Sequence, residues 1–424
     1  MFDNLGVTTA VTHQYSDTGT YTIRIRGQFP RIVFGATVFY NNTPTINKVL
    51  DGLKLISIDQ WGYIAWEDLY YAFSENANMI YNATDVPNLS LGPRLGGMFN
   101  FCRKFNGAIA NWDVSRVKSM EYLFSNCFLF NQDLSGWAVD SVINMEYMFI
   151  NARRYNQNMA AWSVSQVMNM KLMFYQAYDF NQDISSWDVS RVTTMEGVFE
   201  QDSAFNQDIT AWQVDSVENF SSMLKDAVSF NQDISVWDID SAFDMRSMLA
   251  GATSFNQNLG NWKIESKFTF MNNMLDNSNI SNQNYDATLI AWEARVAAPS
   301  NNFSIIGAQG LSYCLSDSVR TELMNKSSII RGDQLNCLGV GVNEEVQQEQ
   351  ASFNVYPNPT SSKIFIETPA SRTQLQEVFI YNMQGQLVYS KTILQSKEAI
   401  DVSQFKSGIY LLRLGNETKR VVVQ

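Results

Sequence analysis

Seven tryptophans stand 25 residues apart without one insertion: Trp112, Trp137, Trp162, Trp187, Trp212, Trp237 and Trp262. Asparagine keeps the same ruler from Asn106 to Asn256, each time preceded by Phe or Tyr, and Val or Ile stands two residues after every Trp. A chain with a fixed period builds one unit per period and closes its core only by stacking units, since one unit cannot bury its own apolar face. In the copy FNQDISSWDVSRVTTMEGVFEQDSA, Ile184, Trp187 and Val189 read as a strand whose Trp and Val share one face. Val192, Met195, Val198 and Phe199 then recur at helical spacing. The expectation is an α/β repeat solenoid with the seven tryptophans piled as an internal ladder. It would occupy residues 48–283, with regular turns over 105–279 and a C-terminal cap over 284–338.

Composition narrows the chemistry. Hydrophobic residues are 45% of the 424, enough for a packed core, whereas charged residues are only 17%, so amides and hydroxyls must supply much of the polar surface. The net charge of -12 argues against nucleic acid, because phosphate binding needs a basic stripe. A single histidine, His13, makes His-rich zinc sites and Ser-His-Asp or Cys-His nucleophiles poor readings. No catalytic residue, metal ligand or cofactor-binding residue is singled out, and no apolar run reaches the roughly 18 residues of a membrane span. The row Asp133, Asn158, Asp183, Asp208, Asp233 and Asn258 offers stacked carboxylates that calcium would suit, but it lacks a second ligand set, so tight-turn capping is the reading.

Of the four cysteines, Cys314 and Cys337 are expected to form a disulfide in the cap. Cys102 and Cys127 share one position in adjacent repeats and read either as a second disulfide or as two buried thiols. Beside each Trp lie outward positions: Asn111, Gly136, Ala161, Ser186, Ala211, Val236 and Asn261, then Asp113, Ala138, Ser163, Asp188, Gln213, Asp238 and Lys263. They are mostly small or polar. Such a face suits contact with a protein or an extended polymer, and competes with the plainer reading of a solvated face.

The unit F-N-Q-[DN]-[IL]-x-x-W-x-V-x-x-V-x-x-M, over roughly Leu55 to Trp292, resembles the BspA-type leucine-rich repeat of bacterial surface proteins. That resemblance implies a leucine-rich-repeat-like fold, secretion or surface display, adhesion and no catalysis. Ala138, Ser163, Gln213 and Lys263 depart from its usual Asp after Trp. After a polar linker (residues 339–352), residues 353–424 resemble the type A C-terminal sorting domain of the type IX secretion system. The match rests on Tyr356-Pro357-Asn358-Pro359, Gly385, Gly408, Tyr410 and the closing Lys419-Arg420. Alternating apolar residues in KIFIE, EVFIYN and IYLLRL independently indicate an all-β module, here a sandwich. The resemblance implies a partner, the secretion machinery, and passage to the cell exterior.

Residues 1–47, with His13, Tyr15, Gly19, Tyr21, Ile23 and Ile25, resemble the closing strands of a PKD-like β-sandwich. The opening residues lack a basic n-region and an apolar h-region, so the export signal and the missing strands are expected upstream of Met1. The functional expectation is an exported, non-enzymatic surface repeat protein that adheres to protein or cell-surface partners. Its rivals are an extracellular polysaccharide-binding protein, a hydrolase hidden in the N-terminal or cap region, and a structural spacer of the surface layer.

Overall fold

A computed structural model describes residues 17–25, 31–34, 38–40, 43–45, 54–264, 270–295, 304–326, 328–337, 353–367, 376–382, 386–393, 397–414 and 417–424. The chain divides into two compact units, Met1–Asn336 and Cys337–Gln424.

In the first unit the apolar side chains chosen by the 25-residue ruler turn inward. The seven tryptophans, the aromatics before each Asn, and the Val or Ile after each Trp are buried. The backbone between them corrects the expected fold. The described residues contain two α-helices, Asn282–Arg295 and Asp317–Lys326, and both follow the regular repeats. Within 105–264 there are tight turns and single parallel bridges but no helix. The α/β leucine-rich-repeat solenoid is therefore not what forms.

The two halves of the repeat also play other parts than their spacing implied. Around Trp187, read as a strand, the amides of Trp187 and Val192 close local turns onto Ile184 and Val189. The stretch read as helical carries the pairing between repeats. The amides of Met195, Gly197, Phe199 and Gln201 donate to Asn219, Ser221, Met223 and Lys225 one repeat ahead. The alternate amides of Val198, Glu200 and Asp202 close turns onto Met195, Gly197 and Phe199. An α-helix would send every amide back four residues; here half of them go sideways. Residues at left-handed φ, such as Tyr122, Leu172 and Gln201, reverse the chain every few residues. That reversal turns positions three and four apart inward without a helix.

Parallel bridges join Ser119, Asn144, Asn169, Thr194, Asn219, Asp244 and Phe270 in sequence. The pairing begins earlier, with Arg31 on Asp68 and Asp68 on Arg94. It continues later through Met271 and Ile306 to the parallel strands Ser304–Gly307 and Ser328–Arg331. Of the expected N-terminal β segment, His13 and Tyr15 lie outside the described residues, and residues 17–25 carry no strand. Val38–Tyr40 pairs antiparallel with Thr43–Thr45. Phe34 donates its amide to Ala72 and stacks on Phe73, so residues 31–34 extend the repeats.

Helix Asn282–Arg295 replaces an eighth repeat. Ser281 Oγ accepts the Asn284 amide at its start, and Tyr285, Leu289 and Trp292 form its buried face. Asp286, buried on the same helix, accepts the amides of Cys314, Leu315 and Ser316, which fixes the following loop.

The second unit is the β-sandwich that its alternation indicates. One sheet orders Lys397–Asp401, Lys363–Glu367 and Asn354–Tyr356; the other orders Leu387–Ile393, Gln376–Asn382, Gly408–Leu414 and Glu417–Val423. Ile364, Ile366, Val378, Ile380, Leu412 and Val421 fill the space between them.

Candidate binding surfaces

What remains for function depends on which groups the repeat already uses. Each Trp from Trp137 to Trp262 donates its indole N–H to the carbonyl 28 residues upstream. Trp187, for example, reaches Met159 at 3.1 Å. The rings stack in pairs: Trp112 on Trp137 at 6.4 Å, Trp162 on Trp187 at 6.5 Å, and Trp187 on Trp212 at 6.5 Å. Trp292 reaches Leu259 in the same manner from its helix. These side chains lie in the core and offer nothing to a ligand.

The Asn row is equally committed. The amide of Asn131 donates to Asn106 Oδ1, Asn156 to Asn131, Asn181 to Asn156, and so on to Ser281 on Asn256. The following Gln adds a second donor to the same oxygen, as Gln182 Nε2 does to Asn156 Oδ1 at 2.8 Å. In the row of carboxylates that calcium would suit, Asp133, Asp183 and Asp208 each accept the amide two residues ahead. The Ser185 and Thr210 hydroxyls, with those amides second, hold the Asp183 and Asp208 carboxyls below the usual carboxylate range, and the Ser135 amide followed by its hydroxyl does the same for Asp133. Both rows are structural edges.

The face beside the tryptophans is exposed from Asn111 to Asn261 and from Asp113 to Lys263. Near its C-terminal end Ser235, Val236, Trp237, Asp238, Asn261 and Lys263 border an open recess of about 360 Å³. Lys263 closes one side by pairing with Asp240 at 3.1 Å. On the paired edge, Tyr122 stacks on Tyr147 at 4.5 Å. Burial raises the carboxyls of the neighbouring Glu121 and Glu146 above their ordinary value.

Cys314 and Cys337 are disulfide-bonded, whereas Cys102 and Cys127 are free and buried. Each free thiol donates to a carbonyl, Cys102 to Phe73 and Cys127 to Phe99, and burial pushes both thiols up. The position they share is occupied by Ala152, Ala177, Asp202, Ala227 and Ala252 in later repeats, all fully buried.

In the sandwich part of the expected sorting signal lies on or against the last strand. Asn358 donates to the Arg420 carbonyl and accepts the Val422 amide, which ties the Tyr356-Pro357-Asn358-Pro359 stretch to Glu417–Val423. Tyr356 donates to Glu367, Tyr410 donates to the Lys406 carbonyl at the start of its strand beside Gly408, and Lys419 lies over Phe353. Gly385 lies outside the described residues.

Two features escaped the sequence reading. Asp202 stands in a row of small apolar residues, and neither carboxylate oxygen has a hydrogen-bond partner. One row farther along, Arg103, Phe128, Arg153 and Tyr178 alternate cation and ring. Arg103 lies 5.5 Å and Arg153 4.7 Å from the Phe128 centroid, and Arg153 also lies 5.7 Å from Tyr178. The same 25-residue ruler, applied to polar positions, shows both.

Residues 354–424 match the secretion system C-terminal sorting domain, which makes this a secreted or cell-surface protein addressed through the type IX secretion machinery. No helix among the described residues is long and apolar enough to cross a membrane. Over 84 residues, 20% of this chain, it is 29% identical to Beta-agarase A of Zobellia galactanivorans; it spans 15% of that relative's length. No solved structure matches. Two overlapping matches, over residues 67–187 and 173–288, cover just over half of the chain, which belongs to the family described as Mycoplasma protein of unknown function, DUF285.

Proposed function

We propose that this chain is a non-catalytic binding protein of the cell exterior, which attaches to protein or cell-surface partners through the outward side chains of its repeats. The supporting observation is how the repeat spends its residues. Trp, Phe, Met and Val fill the core, while Asn and Gln hold adjacent repeats together and Asp caps a turn within each. The outward rows are exposed and differ from repeat to repeat, as Asn111, Gly136, Ala161, Ser186, Ala211, Val236 and Asn261 do, while some of their members, such as Asp113, Asp188 and Ser186, also cap turns or bridge repeats. A rigid scaffold carrying variable outward positions is the usual economy of a binding surface. The sorting domain supplies the exposure that such a surface needs.

Polysaccharide binding is the second reading. The likeness to a protein named as an agarase favours it, although the likeness covers only 15% of that protein.

The test compares attachment to a partner-cell and matrix panel by cells producing the whole chain and by cells producing it without residues 354–424, with purified whole chain as competitor. The reading expects attachment only where the chain reaches the surface, and inhibition by the purified protein. Equal attachment by both cell types, with the chain demonstrably exposed on the first, would overturn it.

A further inference from the structure

We infer that the Arg103–Phe128–Arg153–Tyr178 row, with Lys104 and Arg154 beside it, is a docking strip for a linear anionic polysaccharide bearing sulfate or carboxylate groups. The inference rests on the binding reading above and names the surface and the chemistry of its partner.

Charge selects the strip. The chain carries a net charge of -12. Elsewhere in the repeats Lys171, Lys225, Arg246 and Lys263 are each paired with a carboxylate, and Arg116, Lys118 and Arg191 are exposed without an ion pair among the described residues but do not cluster, so it is the grouping of four such cations that marks the strip. Arg103, Lys104, Arg153 and Arg154 are exposed, and none of the four makes an ion pair among the described residues. Asp179, next to Tyr178, is the acid that ends the strip.

Geometry then prepares it. Phe128 is sandwiched between the guanidinium groups of Arg103 and Arg153. Arg153 Nε donates to Asn151 Oδ1 at 2.8 Å, and Asn151 is itself tied to Asn126 at 2.9 Å. The ring faces are thus used to hold cations, which leaves the terminal N–H groups of Arg153 for an oxyanion. A guanidinium held flat loses little further freedom on binding, and its fork takes sulfate or carboxylate through two parallel bonds.

Spacing points to a polymer. Arg103 and Arg153 stand two repeats apart, roughly 10 Å at the separation of hydrogen-bonded neighbours. That is the scale of one disaccharide in an extended glycan. The strip is narrow and runs along the stacking direction, so a linear chain with regularly spaced charges fits it better than a broad acidic protein surface.

The experiment measures retention of the whole chain on immobilised dextran sulfate and on alginate, with neutral dextran as the matched backbone. The triple variant Arg103→Gln/Arg153→Gln/Arg154→Gln is compared with the control Lys171→Gln/Lys225→Gln, and thermal melts check that each is folded. Wild type should bind one or both anionic polymers and not dextran, with affinity falling as salt rises. The triple variant should lose about tenfold or more, the control less than about twofold. Arg153→Lys should fall between, because it keeps charge but not the fork. Preference for dextran sulfate over alginate, or the reverse, identifies the anion.

Absence of binding to both anionic polymers overturns the inference. Equal losses in triple variant and control, or full retention by the triple variant, do so as well. Polyglutamate competing as strongly as the glycans would overturn the assignment to polysaccharide. If purified chain still blocks cell attachment in any of these cases, the binding reading survives without this strip.

Discussion

Replacing Trp187 probes the column at its middle. The side chain is 3% exposed, stacks on Trp162 and Trp212 with interplanar angles of 6° and 1°, and donates to the Met159 carbonyl. Trp187→Phe keeps most of the buried ring and loses the N–H. The Met159 carbonyl is not orphaned, because the Trp162 amide also donates to it at 3.0 Å. The expected cost is therefore only about 2 kcal/mol, lost area and one hydrogen bond together. Trp187→Ala empties the position between two rings that the rigid repeats cannot bring together, at about 3–5 kcal/mol. Trp162→Ala combined with Trp187→Ala should cost less than the sum by about 1 kcal/mol, since the two vacancies merge, whereas Trp187 and Trp262 should add. Urea unfolding followed by far-UV circular dichroism gives the energies, and amide exchange shows whether the loss centres on the flanking repeats. A Trp187→Ala cost under about 1 kcal/mol, typical of a surface site, or strict additivity of the neighbouring pair, would refute the reasoning.

Asn181→Ala removes the acceptor for the Asn206 amide and for Gln207 Nε2. It should cost about 1–2 kcal/mol and speed exchange of the Asn206 amide. Asp202 is buried and neither carboxylate oxygen is well hydrogen-bonded; burial raises its pKa, and the nearby amides of Ala204 and Phe205, too poorly placed to satisfy it, offset this only in part. Because the folded pKa lies above the unfolded one, the penalty is absent below about pH 4, the unfolded value. It grows as pH rises toward the folded value and stays complete above it. Asp202→Ala should accordingly stabilise the chain by about 1–3 kcal/mol at neutral pH and scarcely at all in acid, in melts run across pH. Cys314→Ser/Cys337→Ser should lower stability by about 3 kcal/mol, and that variant, left with only the free thiols of Cys102 and Cys127, should be unaffected by reductant, whereas Cys102→Ala/Cys127→Ala should still lose stability in it.

The inward residues of this fold were legible and its hydrogen bonds were not. A 25-residue recurrence of Trp, Phe and Val states which side chains face the core, and every one of them does. It does not state where the amides go. Val192, Met195, Val198 and Phe199 have helical spacing, yet Met195 and Phe199 donate to the next repeat. The missing cue was left-handed backbone. Gly97, Gly197 and Gly251 mark it at scattered repeats, but Tyr122, Leu172 and Gln201 adopt it with side chains that carry no such signature. At Gly97 the need is steric as well, since a Cβ there would lie 2.4 Å from the Tyr71 ring. The sorting module was readable because period-two alternation fixes both face and pairing. The basic strip was hidden because Arg103, Phe128, Arg153 and Tyr178 form a pattern only when polar positions are laid on the ruler.

The direct measurement is of retention and product together. Purified whole chain is mixed with dextran sulfate, alginate and agarose, bound protein is quantified, and each polymer's length distribution is recorded before and after. A non-catalytic binding protein of the exterior predicts every length distribution unchanged, and its basic strip predicts reversible, salt-sensitive retention on an anionic polymer. Shortened polymer, or retention on none of them together with no effect on cell attachment, would contradict it.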